Sequence, residues 1–67
     1  MIILSKVLYT ANYFNARTLS FVKSETYVGV SSRQVANHVA YKLGVKQPYP
    51  SQYVKTVEYF ICIQPKN

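Results

Sequence analysis

The stretch SSRQVANHVAYKLG, residues 31–44, decides the fold because it specifies a helix from both of its ends. Ser31 is a favourable N-cap residue, and Gln34 three residues later completes a capping box. Gly44 follows the last apolar position and can adopt the left-handed conformation that closes many helices. The stretch therefore predicts a helix over residues 32–43.

The two faces of this predicted helix differ in character. Apolar residues recur at helical spacing and predict a buried stripe, which consists of Val35, Ala36, Val39, Ala40 and Leu43. Val30, just before the cap, can pack on Val35 as a hydrophobic staple. Polar and basic residues cover the other face: Arg33, Asn37, His38, Tyr41 and Lys42. That face is either a surface that reads a nucleic acid or the solvated side of a small domain.

The segment YVKTVEYFICIQP, residues 53–65, alternates as a strand does. Val57, Tyr59, Ile61 and Ile63 fall on one side at period two, and Pro65 ends the run. Because β-branched and aromatic residues dominate it, the segment predicts one strand over residues 55–63. The preceding KQPYPSQY, residues 46–53, contains two prolines and predicts an extended loop.

The segment TLSFVKSETYVGV, residues 18–30, also reads as extended, but the phase of its alternation changes. Leu19 and Phe21 share one face, whereas Val22, Val28 and Val30 share the other. This pattern predicts a bulge or break near residues 23–25. Gly29, just before the helix, is compatible with a close approach of two backbones.

The first fourteen residues fit two structures. As a helix they carry an apolar stripe: Ile3, Leu4, Val7, Leu8, Ala11 and Phe14. As a strand, KVLYT (6–10) pairs with RTLSFVK (17–23) across ANYFNA (11–16). The strand is favoured, because the segment lacks an N-cap, contains weak helix formers and gives the helix a sheet to pack on.

The predicted fold is therefore α+β: a small antiparallel sheet with one helix, in the order strand–strand–helix–strand. The alternative is a winged-helix-like order of helix–strand–helix–strand. At 67 residues, the chain is expected to form a single domain with a thin core.

Composition restricts the class of protein. Hydrophobic residues make up 49% of the chain and charged residues 15%, which argues against intrinsic disorder. Cys62 is the sole cysteine, so an internal disulfide is impossible and a reducing, cytoplasmic compartment is expected. The apolar run at the N-terminus ends at Lys6, too soon to cross a bilayer, and no membrane association is expected.

The charge balance is strongly basic. Eight Lys and Arg residues face two carboxylates, Glu25 and Glu58, for a net charge of +6. Such a charge attracts phosphate backbones, anionic lipids or acidic proteins, or else serves solubility alone.

The sequence gives little support for a catalytic site or a metal-binding site. His38 is the sole histidine, and Cys62, Glu25 and Glu58 do not complete a known ligand spacing with it. Cys62 between two isoleucines reads as a small hydrophobic residue rather than a nucleophile. Gly29 and Gly44 stand alone and make no phosphate loop. The chain is expected to be no enzyme and to bind neither a metal nor a cofactor.

Basic and aromatic residues cluster around the helix and the loop after it. The candidate binding residues are Arg33, Asn37, Tyr41, Lys42, Lys46, Tyr49 and Tyr53. Cations for phosphates, interleaved with rings that stack on bases, are typical of single-strand binding. They predict a partner that is a nucleic acid or a nucleoprotein assembly. In the competing interpretation, Tyr49 and Tyr53 cover the end of a small core and the charges are solvated.

A second functional hypothesis takes Pro48, Tyr49, Pro50 and Tyr53 as an exposed aromatic knob for a protein partner. In size and element order, the predicted layout is similar to that of several small phage-encoded inhibitors of host enzymes. That resemblance implies a viral inhibitor or adaptor that docks on a host protein, such as a nucleic-acid-handling enzyme complex. The N-terminal segment could also pair edge to edge with a second copy to form a homodimer.

Overall fold

The computed structural model describes residues 6–46 and 52–66. Its elements in chain order are β1 (Val7–Asn15), β2 (Phe21–Gly29), α1 (Ser32–Lys42), β3 (Tyr53–Lys55) and β4 (Tyr59–Pro65). The strands form one antiparallel sheet in the order β2-β1-β4-β3, and α1 contacts β2, β3 and β4. The predicted α+β fold is confirmed, with a fourth strand. The face of the sheet that α1 covers is called the inward face here, and the opposite face the outward face.

The N-terminal segment is a strand, and it occupies the centre of the sheet. β1 runs through ANYFN to Asn15, so the loop to β2 is residues 16–20 and not the expected 11–16. The Asn15 side chain explains this boundary, because its Oδ1 accepts the backbone N–H groups of Arg17 (2.8 Å) and Thr18 (3.0 Å). Since β1 pairs with both β2 and β4, it offers no edge to a second copy, and the expected pairing through it is wrong.

The segment expected to be one last strand is a hairpin. β3 and β4 pair antiparallel across a turn at residues 56–58. Thr56 organises the turn, because its Oγ1 accepts the N–H groups of Tyr59 (2.7 Å) and Glu58 (3.2 Å). Val57, which was expected on the core side, is 95% exposed at the turn, whereas Ile61 and Ile63 are buried as expected.

A bulge in β2 accounts for the phase change in its sequence. Tyr13 lies opposite Lys23, but the next residue, Phe14, lies opposite Phe21, so Val22 is the extra residue. The bulge is just before the predicted region of residues 23–25. After it, Val28 points outward and is 62% exposed.

Both predicted caps of α1 are present. Ser31 Oγ accepts the Gln34 N–H at 3.1 Å, and Gln34 Oε1 accepts the Val30 N–H at 2.7 Å. Gly44 has φ 71°, and the Val45 N–H donates to the Ala40 carbonyl at 2.8 Å, which completes a Schellman motif. Leu43 is the C-cap residue and is 41% exposed, so its expected place in the buried stripe is wrong: the helix ends before Leu43 can face the sheet.

The core lies between α1 and the inward face. It consists of Tyr9, Ala11, Tyr13, Val35, Ala36, Val39, Ala40, Val54, Ile61 and Ile63. The first turn of α1 approaches β2 closely at Gly29, but through its side chains and not through a second backbone as the sequence suggested. A Cβ at Gly29 would lie 2.7 Å from Val35 Cγ2 and 2.8 Å from Gln34 Oε1.

Gly29→Ala should therefore lower the free energy of unfolding by about 1–3 kcal/mol, the usual effect of overpacking. Gly29 does not adopt a positive φ, so the cost is steric rather than conformational. Val28→Ala, at the neighbouring exposed position, should change the same free energy by less than about 0.5 kcal/mol. Urea denaturation followed by circular dichroism measures both, and equal values for the two variants would contradict the close approach.

Candidate functional site

Arg33, Asn37 and Tyr41 lie four residues apart along α1 and share its solvent side. All three are exposed, and Tyr41 is 87% exposed. Lys46 is exposed just beyond the helix. The solvent side of α1 therefore presents one cation, an amide and an aromatic ring, and a second cation, Lys46, lies beyond the helix.

Lys42 lies on the flank of α1 that faces β2. Its Nζ donates to Tyr27 Oη at 3.4 Å and lies 5.7 Å from the centre of the Tyr27 ring. Lys42 thus joins the helix to the sheet, and its charge lies near a ring while the side chain remains exposed.

Tyr53 lies on the opposite side of the molecule from these helix residues. Its neighbour Val54 is fully buried on the inward face, so Tyr53 and Lys55 point outward. The Tyr53 ring is stacked on Phe60, with centroids 5.6 Å apart and 12° between the planes. Tyr49 lies outside the described residues. The predicted set is therefore divided between the solvent side of α1 and the outward face.

A hydrogen-bonded cluster beside α1 was missed by the sequence analysis. Glu25 Oε1 accepts from Tyr13 Oη at 2.7 Å and from Tyr27 Oη at 2.8 Å. Lys23 Nζ lies 3.9 Å from Glu25 Oε2 and 4.7 Å from the centre of the Tyr13 ring. The alternation of Lys23, Glu25 and Tyr27 was the available signal, but the bulge or break predicted near residues 23–25 obscured it.

This cluster shifts the acidity of two of its members. The hydrogen bond from Tyr13, then that from Tyr27, holds the pKa of Glu25 below its usual value, against an opposing effect of burial. Burial, and then the hydrogen bond to Glu25, raises the pKa of Tyr13 well above its usual value. At neutral pH the cluster is thus an ionised carboxylate that accepts hydrogen bonds from the hydroxyls of Tyr13 and Tyr27.

Stability should fall in acid because of Glu25. Its pKa is lower in the folded chain than in the unfolded chain, so ionised Glu25 stabilises the fold at neutral pH. That stabilisation is lost as the pH falls below 4.5, the usual value, and through the lowered pKa. Glu25→Gln should therefore lose less unfolding free energy than the wild type between about pH 7 and about pH 3.

The control for this measurement is Glu58→Gln, which removes the exposed carboxylate of the β3–β4 turn. Its unfolding free energy, measured in urea across the same pH range, should fall as steeply as that of the wild type. Parallel curves for Glu25→Gln and the wild type would contradict the role given to Glu25.

The outward face carries an aromatic row that crosses the sheet. Phe21, Phe14 and Phe60 are Cα partners on β2, β1 and β4, and Lys55 of β3 continues the row beside Phe60. The rings of Phe14 and Phe21 meet edge to face, with centroids 5.9 Å apart. These are all three phenylalanines of the chain, and Phe21 is 59% exposed. We call Phe14, Phe21, Phe60 and Lys55 the aromatic row.

The rest of the outward face is polar in the middle and aliphatic at its far end. The middle positions are Ser24, Asn12, Cys62, Thr26, Thr10 and Gln64, with Tyr53 beside Cys62 on the edge strand, and Leu8 and Val28 pair at the end. Ser24 Oγ donates to Asn12 Oδ1 at 2.8 Å. Lys55 is the one charged side chain among the outward-pointing strand residues that the structure describes. The sequence could not show this face, because it depends on the register of four strands.

Cys62 and His38 lie on different sides of the sheet. Cys62 alternates with the buried Ile61 and Ile63 and points outward, whereas the His38 ring meets Tyr27 on the helix side, with centroids 5.8 Å apart. Over residues 6–46 and 52–66, no three His, Cys, Asp or Glu side chains are grouped as metal ligands.

Two open clefts flank the β3–β4 turn. The larger, about 700 Å³, lies between the end of α1 and the turn and is lined by Leu43, Gly44, Val45, Lys55, Thr56, Val57, Glu58 and Tyr59. The smaller, about 430 Å³, borders the aromatic row and is lined by Ala16, Leu19, Lys55, Thr56, Tyr59 and Phe60. Both combine apolar walls with the Lys55 cation.

Comparison with protein-family models, with curated proteins and with solved structures finds no match to this chain. Within the described ranges, no helix has the length and apolar character needed to cross a membrane. Function is therefore inferred from the geometry and charge of the chain itself.

Proposed function

We propose that this protein binds nucleic acid, free or within a nucleoprotein assembly, through its exposed cations. The observation that carries the proposal is that the Lys and Arg side chains are exposed and form few ion pairs. All eight Lys and Arg side chains are exposed. Within residues 6–46 and 52–66 the one ion pair is Lys23–Glu25. Exposed cations with so few internal partners suit a polyanion, whose counterions they displace.

On the helix side, Arg33 and Lys46 are the proposed phosphate contacts. Asn37 and Tyr41, which share the solvent side of α1 with Arg33, supply a hydrogen-bonding amide and a ring. Lys42 adds its charge from the flank of the helix, where it is held by Tyr27.

The proposed activity is binding without catalysis. The separation of Cys62 from His38 supports this, since a nucleophile and its base must lie within hydrogen-bond reach. The free thiol of Cys62 suits a reducing compartment, and we place the protein in the cytoplasm.

Docking on a host protein is the second candidate function. The observation that favours it is the larger cleft, where Leu43 is 41% and Val57 is 95% exposed beside Val45 and Tyr59. Exposed apolar side chains around a concave surface suit a protein segment. In an inhibitor or adaptor of that kind, Val57→Asp should abolish binding to the partner protein, because it places a charge in the apolar contact.

Nucleic-acid binding should weaken steeply with salt. If about four phosphates are neutralised, the slope of log affinity against log salt on a single strand is about −3. Arg33→Ala and Lys46→Ala should each make this slope shallower by about 0.7. Fluorescence anisotropy of a labelled oligonucleotide, titrated at several salt concentrations, measures the slope.

Asn37→Ala is the matched control, because it truncates a neutral neighbour of Arg33 on the same side of α1. It should leave the slope unchanged. An affinity no tighter than about 10⁻⁴ M at physiological salt, the weak end of non-specific binding, would refute the proposed function.

A further inference from the structure

We propose that the outward face of the sheet stacks unpaired bases on its aromatic row, so that the nucleic acid bound is single-stranded. This rests on the proposed nucleic-acid binding and specifies the substrate class and the face that holds it. The face lies opposite the solvent side of α1, so it is a surface that the helix residues do not share.

The arrangement of the rings supports stacking. Phe21, Phe14 and Phe60 lie on three adjacent strands in register, and neighbouring strands are about 4.8 Å apart. Tyr53 extends the aromatic surface by its stacked contact with Phe60. Phe21 is 59% and Tyr53 is 43% exposed, so both ends of the surface reach solvent. Sheets that stack bases on aromatic side chains of neighbouring strands hold about two or three bases in this way.

Two exposed cations lie near the aromatic row. Lys55 ends the row on β3, and Arg17 lies in the turn of residues 16–20 that joins the strands of Phe14 and Phe21. Glu58 is the carboxylate near the 16–20 turn, because the Glu58 backbone carbonyl accepts the Ala16 N–H at 3.0 Å. Neither carboxylate of the chain points outward from a strand, so stacked bases and their phosphates meet Lys55 without an opposing charge on the face.

The polar middle of the face favours a nucleic acid over a second copy of the chain. Face-to-face packing of two sheets would bury the amide N–H groups of Asn12 and Gln64, and buried polar groups need partners. It would also bring together two chains that each carry a charge of +6. A base edge, in contrast, offers donors and acceptors to the amides of Asn12 and Gln64.

A duplex cannot use this surface in the same way. Its bases are stacked on each other and expose only their edges in the grooves, so their flat faces are not available to Phe or Tyr rings. Stacking on rings is also tolerant of base identity, because every base has a flat π surface. The face is thus suited to unpaired strands of many sequences.

The test compares Phe21→Leu and Phe60→Leu, which keep an apolar side chain and remove the ring. The probes are a labelled oligothymidylate and a labelled oligouridylate of about twelve nucleotides, with a duplex of equal length. Each variant should bind both single strands roughly 5- to 150-fold more weakly, with an unchanged salt slope. Wild-type binding to the duplex should be weaker and insensitive to both changes. Phe60→Trp should retain single-strand affinity.

Val28→Leu is the matched control, because Val28 is exposed on the same face but outside the aromatic row. It should bind as the wild type does, and thermal melts should show that every variant remains folded.

This inference would be overturned, with the proposed function left standing, by one pair of results. Both Leu variants would bind the single strands within twofold of wild type, and Arg33→Ala would still make the salt slope shallower. Absence of nucleic-acid binding in the wild type would overturn both. A wild-type dimer in analytical ultracentrifugation that Phe21→Leu converts to monomers would assign the face to a second copy instead.

Discussion

The packing of α1 on one face of the sheet is the constraint on which the rest of the structure depends. Val35, Ala36, Val39 and Ala40 are buried against that face, and two of these four residues are alanines. Small side chains, together with Gly29 at the helix N-terminus, let the helix lie close to the strands. One short helix then covers one face, and the described residues contain no second helix to cover the other.

Because the helix covers only one face of the sheet, the aromatic residues are distributed in an unusual way. Tyr9 and Tyr13 are buried in the core, whereas all three phenylalanines point outward. A buried tyrosine needs a partner for its hydroxyl, and Glu25 accepts the hydrogen bond from Tyr13. Glu25 thus serves the core as well as its ion pair with Lys23, and the other exposed cations of the described residues form no ion pair.

Local signals in the sequence predicted what local interactions determine. Ser31, Gln34 and Gly44 specify the ends of α1 within a few residues of themselves, and the structure confirms both caps. Alternation could not locate the β3–β4 turn, because it continues through Val57 without a glycine or proline. The turn depends instead on the Thr56 hydroxyl, a weaker signal.

The candidate site shows the same division between local and non-local information. Arg33, Asn37 and Tyr41 are placed together by helical spacing alone, so the sequence could predict them as a group. Tyr53 was grouped with them by nearness in the chain, but the hairpin turns it to the other face. The aromatic row unites residues 14, 21, 55 and 60, and the register that aligns them includes a bulge that no local pattern locates at Val22.

The exposed rings bear on function through the energetics of a small domain. Burying a phenylalanine contributes about 1.5–3 kcal/mol, and the net stability of a domain is only about 5–15 kcal/mol. Of the three phenylalanines only Phe21 is exposed, at 59%, so the chain of 67 residues forgoes part of that contribution at Phe21. Under the proposed base stacking, a ligand that covers the Phe21 ring would recover this part on the face that the helix leaves open.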